Sequence, residues 1–595
     1  MTASYHLLLP CPNGRVSNDT IRLTVFVVPR LQAFGPLTDW DTDWRNWPTV
    51  LNGPAGVSAT TFDVLVNGTL VGANTGLGPA DWTSPAPDPA VWDAVFGTAA
   101  GGDPIGVRRF SPVIRTGIDL HPSYDPRQIE SNANALHDEL ARSPLPPRPG
   151  DLAVLPEFQA AAGAAVNDDY RAHVEPTVAF DAIDLSGEPT PVEADFHDSL
   201  AFLQAHPELM RHLGLAIDLE VRVPAPSFGD FTVAVGSSYN RADGTAVPVE
   251  VNVRSDGWPV DGPGTWALVG DGSHGVSQLD PSSTVLGLAS IERSLTTAPD
   301  DPSADIPLLA DVGIGVSRSP QDLADELDEV WTAQAAFEES ILDWFEAGAT
   351  DPVSAPGLLL TVGLRYDVWD EDASDWFSLW DREVPDGYVF PRDGSLDVTP
   401  DRDEGWITPS GSTESASALG DAESPRPGEG QPLGVTHETT RLRLSPWGFV
   451  WNGWSLAARQ PGRAFSGLAG PIDPAPNEPG ADPDTGDEML AQATIDYEVP
   501  TGVLPRLRYT HRYKFRGRTV DVAGNSRPLS ARHPGGETET ALVEYGRQSA
   551  IGAPLVVRRQ QPSVPGWGDV VDTLVVKSEL DQRPDTIVPA SRVIF

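Results

Sequence analysis

Glycine and proline together make up nearly a fifth of this chain, 56 and 58 of its 595 residues. Proline cannot donate to a helix interior or a central sheet ladder, and glycine supplies the positive φ that tight turns need. A chain punctuated this often folds into short extended pieces joined by turns, with few long helices. The apolar spacing agrees. Ile21, Leu23, Val25 and Val27 alternate with Arg22, Thr24 and Phe26 before Pro29, and a period of two is that of a strand. Phe62, Val64 and Val66 repeat the pattern and run into Asn67-Gly68, the dipeptide that suits a two-residue hairpin. Leu215, Ile217, Leu219, Val221 and Val223 define another strand, with Asp218, Glu220 and Arg222 on its second face. Further strands are expected over 231–235, 247–253, 358–368 and 506–522.

Helical spacing is confined to a few segments. Short helices are expected over 88–96, starting at Pro89, and over 128–140. A third covers 194–213, broken or kinked at Pro207 and ended by Gly214. The longest is expected over 319–348, with Ser319 as N-cap and Pro320 in the first turn. Its apolar stripe of Leu323, Leu327, Val330, Phe337, Ile341 and Trp344 is widened by Trp331 and Phe345. That width suits packing across the chain's own sheet better than the narrow seam of a coiled coil. The expected fold class is therefore mainly β, with several antiparallel sandwiches and one long helix.

Composition shifts suggest five regions: a β-rich 1–142, an α+β 151–310 beyond the stiff linker 143–150, a helix-plus-strand 311–391, an acidic flexible 392–437, and a sandwich-like 438–595. A second loop is expected over 471–488. The apolar run 588–595 is an unusual place for a chain to stop, so a longer protein is expected.

Eighty-five acidic residues face forty basic ones, a formal charge of −45. Self-repulsion on that scale works against a compact state. Concentrated salt relieves it, because the Debye length falls to roughly 3 Å at 1 M. Lys514 and Lys577 are the only lysines; the other basic residues are arginine. The expected setting is a high-salt, halophilic cytoplasm. The charge opposes nucleic-acid binding, no stretch approaches the ~20 apolar residues of a membrane span, and the N-terminus lacks the basic start of a signal peptide. Cys11 is alone, so no disulfide can close within the chain.

Most catalytic patterns are missing. Neither lysine follows a glycine, which excludes a Walker loop, and Gly313-Ile-Gly315 is followed by Val-Ser-Arg rather than by a dinucleotide fingerprint. Asp271, Ser273 and His274 are sequence neighbours in GDGSHG, whereas a triad needs convergence from separate segments. His206 and His212 are too far around a helix to share a zinc ion. Calcium is the one metal worth weighing: Asp39, Asp41 and Asp43 alternate as hard oxygen ligands, but Trp44 stands where an EF-hand needs glycine. Asp482, Asp484 and Asp487 form a poorer set. Trp369, Trp376 and Trp380, with Trp447, Trp451 and Trp454, are the residues a sugar platform would use.

The most unusual local feature is a basic strand. Leu507, Tyr509, Tyr513 and Phe515 define one face; Arg508, Arg512, Lys514 and Arg516 define the other, and the alternation slips after Gly517 as at a bulge. Two expectations follow for these cations. Either they pair with nearby carboxylates, or they form a docking surface for an acidic partner, for which the chain's own 392–437 segment is a candidate.

Five phrases, VFVVPRL (25–31), VWDAVF (91–96), LMRHLGLAIDLEV (209–221), WNGWSLA (451–457) and RGRTVDVAGN (516–525), together resemble a family of large β-rich prokaryotic proteins associated with gene clusters for extracellular contractile injection systems, which are phage-tail-like particles. VDVAGN also resembles the closing hairpin of fibronectin-type and immunoglobulin-like sandwiches. The resemblance implies a non-enzymatic structural or accessory component, or a cargo, acting with other proteins of a large assembly and released as part of an extracellular particle. It carries no catalytic residues. The alternatives are a carbohydrate-active or carbohydrate-binding protein and a calcium-stabilised β-sandwich adhesin. No cofactor other than calcium is expected.

Overall fold

The computed structural model describes 4–32, 35–37, 43–53, 58–71, 76–97, 195–223, 229–238, 244–260, 313–318, 320–385, 402–407, 447–458, 497–532 and 538–546, with shorter pieces among and after them. The first half of the chain supplies β1 (Tyr5–Ser17), β2 (Thr20–Arg30), β3 (Phe62–Val66), β4 (Thr69–Val71), β5 (Ala216–Arg222), β6 (Phe231–Ser237) and β7 (Gly244–Val253). Helices α1 (Trp47–Asn52), α2 (Pro89–Phe96), α3 (Phe196–Leu203) and α4 (Pro207–His212) lie between them in sequence. The second half adds β8 (Ile314–Arg318), α5 (Pro320–Ala347), β9 (Thr361–Asp370), β10 (Asp375–Ser378), β11 (Trp447–Trp451) and β12 (Arg512–Asp521). The protein is strand-rich and built on several sheets.

The largest sheet has the order β4-β3-β6-β7-β1-β2-β5, with Asn240–Arg241 and Val353–Ser354 also paired to β7. Most pairs are antiparallel; β1 runs parallel to β7. The hairpin at Asn67-Gly68 forms as its sequence predicts, with positive φ at both residues and Val66 opposite Thr69. The stretches 1–142 and 151–310, divided by composition, meet in this one sheet and share one core. Composition marks a linker, but it does not say which strands will pair across it.

Strand β1 is buried on both faces, and its alternation sorts the neighbours. Tyr5 meets Phe345 of α5, with ring centroids 4.9 Å apart. His6 points the other way, 5.7 Å from both Trp44 and Trp47, and full burial holds its imidazole down to about 3. Trp44, Trp47, Trp92, Phe96 and Phe196 fill that side. Helix α2 starts where its cap dictates: Asp88 accepts the Ala90 N–H at 2.8 Å, Pro89 follows, and Gly97 ends the helix at φ 61°. The helical run expected over 194–213 is two helices, α3 and α4, because Pro207 opens the second rather than continuing the first. Gly214 then turns at φ 72°, where a Cβ would stand 2.6 Å from the Leu51 side chain. The segment 128–140 falls almost wholly outside the described residues.

Helix α5 is 28 residues long and covers the Tyr5 face through Phe337 and Ile341. Its second anchor is ionic. Arg30 of β2 donates twice to Glu338, at 2.6 Å each, and both side chains are buried. Arg30 also lies over the Phe110 ring at 4.7 Å. Gly348 at φ 58° and the Ala349 N–H to Trp344 bond close the helix.

A second core lies between two further sheets. One has the order Trp266–Ala267, β12, β9, β10, with Val543–Glu544 also on β12; the other is His274–Ser277, β8, β11. Ile314, Val316, Phe449 and Trp451 from the smaller sheet pack on Tyr366, Val368, Tyr513 and Phe515 from the larger. Tyr366 and Phe449 rings are 4.4 Å apart, and Trp451 and Tyr513 rings 5.2 Å. The two cores are joined by continuous chain: β9 follows Leu360 of the first core, and β12 runs into Val522 and Ala523, which also belong to the first.

Breaking the α5 anchor tests this packing. Glu338→Ala leaves Arg30 buried without its carboxylate and should lower unfolding free energy by about 3–5 kcal/mol in a urea titration. The double variant Arg30→Met, Glu338→Leu should recover most of that loss, because both charges are then gone.

Candidate functional site

The basic strand lies at the centre of the second core's larger sheet, between Trp266–Ala267 and β9. Residues 506–511 precede the strand, which begins at Arg512; Thr510 sits at φ 70°. Tyr513 and Phe515 face the second core, as the alternation predicts. Tyr509 does not. It is 40% exposed and stacks on Tyr545 at 5.0 Å, because the strand has not yet started. The register of β12 against β9 runs unbroken from Tyr513 to Val520; the irregularity falls on β9, between Thr361 and Gly363. The expected slip after Gly517 is therefore a change of surroundings, in which both faces of β12 become buried, and not a bulge in β12.

Arg512, Lys514 and Arg516 are paired within the chain. Arg512 makes a bidentate pair with Glu371 at 2.6 Å and 2.6 Å on the surface. Lys514 pairs with Glu539 and lies over the Trp369 and Trp376 rings at 5.1 and 5.5 Å. Arg516 is buried; it donates to Asp367 at 2.8 Å and to the Ala531 carbonyl at 3.0 Å, and it covers Trp376 at 4.1 Å. Arg508 is exposed, its backbone N–H donating to the Tyr513 hydroxyl at 3.0 Å.

Behind these residues lies a network of buried ion pairs that draws in part of the 392–437 segment. Asp367, with no exposed surface, accepts from Arg516 and, at 2.8–3.1 Å, from Arg518. Arg518 reaches on to Glu404 at 2.6 Å and to Ser378 at 3.3 Å. Arg365, paired with Arg518 in register, donates to the Gly405 and Gly524 carbonyls at 2.9 Å each. Burial raises the Glu404 carboxyl, but Arg518 and Arg365 outweigh it and take it down to about 2. Burial in turn pulls Arg365 down to about 10. Burial also lowers Arg518, but Asp367 and Glu404 more than reverse that and hold it above its ordinary value. Glu404 belongs to the stretch 392–437 expected to be flexible. Its 402–407 portion is ordered, with Ile407 bridged to Leu364 and Arg382 on Asp403 at 2.8 Å. A segment poor in aliphatics can be held by buried arginines, and hydropathy does not register that.

The second concave feature lies where β12 ends. A cleft of about 270 Å³ is lined by Asn13, Arg22, Thr83, Arg211, Asp218 and Asn525, among others. Asn525 brings the 521–525 turn to its wall. Asp521 accepts N–H bonds from Ala523 at 2.9 Å and Asn525 at 2.7 Å, and the Asn525 amide at 3.0 Å. Gly524 turns at φ 77° with a would-be Cβ 2.3 Å from Pro207, so the close approach to α4 requires glycine. Asn525 donates to Thr24 at 3.1 Å and accepts from Arg211 at 3.4 Å; Arg211 holds Asp218 at 2.7 Å. The turn is thus clamped onto the first sheet. Full burial pushes the Asp521 carboxyl up to about 6 against those donors.

Chemically, both features bind the protein to itself. Glu404 is held as a carboxylate by Arg518, and Asp521 is occupied by the N–H groups of its own turn. Trp376 and Trp451, offered by sequence as sugar-platform residues, are buried. Of the proposed calcium ligands, Asp39 and Asp41 lie outside the described residues; Asp43 opens the short helical turn Asp43–Asn46. Asp482, Asp484 and Asp487 also lie outside. His206 is held by the Tyr497 hydroxyl at 2.6 Å. Among the described residues, no helix is long and apolar enough to cross a membrane. No family model, curated protein or solved structure matches the chain.

Asp521 makes the clamp pH-dependent. Its folded-state value of about 6 exceeds the ordinary 3.8, so the folded protein holds this proton more tightly than the unfolded chain. Its contribution is therefore best below about pH 4 and is lost as pH rises through 6. Relative to Asp521→Asn, the wild type should lose about 3 kcal/mol of unfolding free energy between pH 4 and pH 7, read from urea titrations at constant salt.

Proposed function

We propose that this chain is a non-enzymatic structural or accessory component, or a passenger, of a phage-tail-like contractile injection particle in a halophilic prokaryote. The observation that supports this reading most is the use made of the reactive side chains. Arginines, carboxylates and tryptophans that elsewhere build active sites are here consumed in Asp367–Arg516–Arg518–Glu404, in the 521–525 clamp and in the two cores. All five family-like phrases coincide with that frame: VFVVPRL is in β2, VWDAVF in α2, LMRHLGLAIDLEV spans α4 to β5, WNGWSLA begins in β11, and RGRTVDVAGN runs from β12 into the clamped turn. We read the face-to-face sheets of the second core as an immunoglobulin- or fibronectin-like sandwich.

The halophilic setting draws on α5. Asp322, Asp325, Glu326, Asp328, Glu329, Glu339, Asp343 and Glu346 are all exposed on a helix that carries no basic residue. Like charges three and four residues apart oppose the helix, and acids at its C-terminal end oppose its dipole. Counterions relieve both. In such a cell the chain acts in a high-salt cytoplasm and leaves it as part of the released particle.

Particles sedimented from lysates in molar KCl should carry this chain with their sheath and tube proteins. Recovery only in the supernatant, with intact particles in the pellet, would sink the proposal. Separately, the melting temperature should rise by several degrees between about 0.1 and 1 M KCl, as the Debye length shortens from ~10 to ~3 Å. A flat response would remove the halophilic part of the reading.

A further inference from the structure

We infer that Asp370, Asp372 and His511 form a binding site for a divalent transition-metal ion of the zinc type. One carboxylate oxygen from each aspartate and one ring nitrogen of His511 lie within 4.8 Å of one another. A tetrahedral ion with ligands at about 2.0–2.2 Å needs donors about 3.3–3.6 Å apart, so the side chains must adjust and the direct His511 Nδ1–Asp372 contact must give way to the ion.

The ligands come from two separate elements that the fold brings together. Asp370 ends β9, and Asp372 sits in the turn to β10. That turn is held by Ser374, at φ 53°, whose N–H donates to the Asp370 carbonyl at 2.8 Å. The Asp372 N–H donates to the Asp370 side chain at 2.9 Å, which draws the two carboxylates to one side. His511 precedes β12, and its carbonyl accepts the Tyr545 N–H at 2.8 Å. Its Nδ1 is paired with Asp372.

Charge sorting at this end of the sheet supports a cation. Glu371, between the two aspartates, turns to Arg512, and Glu539 turns to Lys514. Asp370 and Asp372 instead face the His511 imidazole, and no Arg or Lys among the described residues pairs with either of them. Two carboxylates and a ring nitrogen are a donor set whose negative charge a divalent ion offsets. The imidazole also selects the metal: calcium and magnesium take oxygen ligands, whereas zinc and its neighbours accept imidazole with carboxylate. Three protein ligands leave one position for water or for a donor from another molecule. Bound there, the ion would fasten the β9–β10 turn to the start of β12.

The test is calorimetric titration of ZnCl₂ into the full-length untagged protein, in molar KCl with excess Mg²⁺ to occupy ordinary surface carboxylates. One saturable zinc equivalent is expected, with a zinc-dependent rise in melting temperature. Asp372→Asn, on the exposed turn, should weaken binding at least about tenfold, and His511→Gln should do the same. Absence of a saturable site in the wild type would overturn the inference. So would zinc binding unchanged in both variants, or variants that lower melting temperature equally with and without zinc, which would mark a His–Asp hydrogen bond only. The outcome does not depend on sedimentation with a particle, so failure here leaves the proposed function standing.

Discussion

Asp367 has no exposed surface, and two guanidiniums from the neighbouring strand hold it. The second core depends on that arrangement. A lone carboxylate would not remain charged in such a place, and neither would the arginines remain unpaired without a large desolvation cost. Together they satisfy one another and recruit Glu404, Ser378 and the carbonyls of Arg527, Leu529 and Ala531. Two stretches of poor hydropathy, 402–407 and 526–532, are thereby folded against β9 and β12. Arginine suits the task better than lysine, because its planar fork serves several acceptors at once and is less strongly hydrated. In a chain of net charge −45, some of the scarce cations are spent inside.

The two cores are mechanically continuous through the ends of β9 and β12. Val522 and Ala523 lie in the first core while Tyr513 and Phe515, on the same run of chain, lie in the second. The clamp of Asp521, Asn525, Thr24 and Arg211 fixes the crossing. Opening either core therefore pulls on the other. The exposed acids of α5 work against this compact arrangement, which links its stability to the ions around it.

Local features were well read from sequence. The Asn67-Gly68 hairpin, the Asp88 cap with Pro89, and the alternation of β5 each rest on neighbours within a few residues, and local chemistry decides them. The basic strand is recognisable as unusual and 392–437 is a candidate partner for it, but the particular carboxylates Asp367 and Glu404 are not legible, since they lie more than a hundred positions away. Tyr509 was assigned inward by a period that extends beyond where the strand begins. The 402–407 segment was assigned to solvent because a hydropathy reading counts Asp403 and Glu404 as surface, whereas a buried arginine makes such residues interior. The phrase VDVAGN resembles a closing hairpin, yet nothing in it reveals that Arg211 and Thr24 await it.

Sequence by itself determined the strand-rich class, the positions of turns and caps, the acidic charge and the scarcity of lysine. These follow from backbone sterics, side-chain period and composition, none of which needs distant residues. Tertiary structure alone decided that 1–142 and 151–310 build one sheet, that β9 and β12 bridge two cores, and that Arg516 is an internal brace. Those outcomes depend on which distant surfaces exclude water together, and a one-dimensional pattern does not encode that choice.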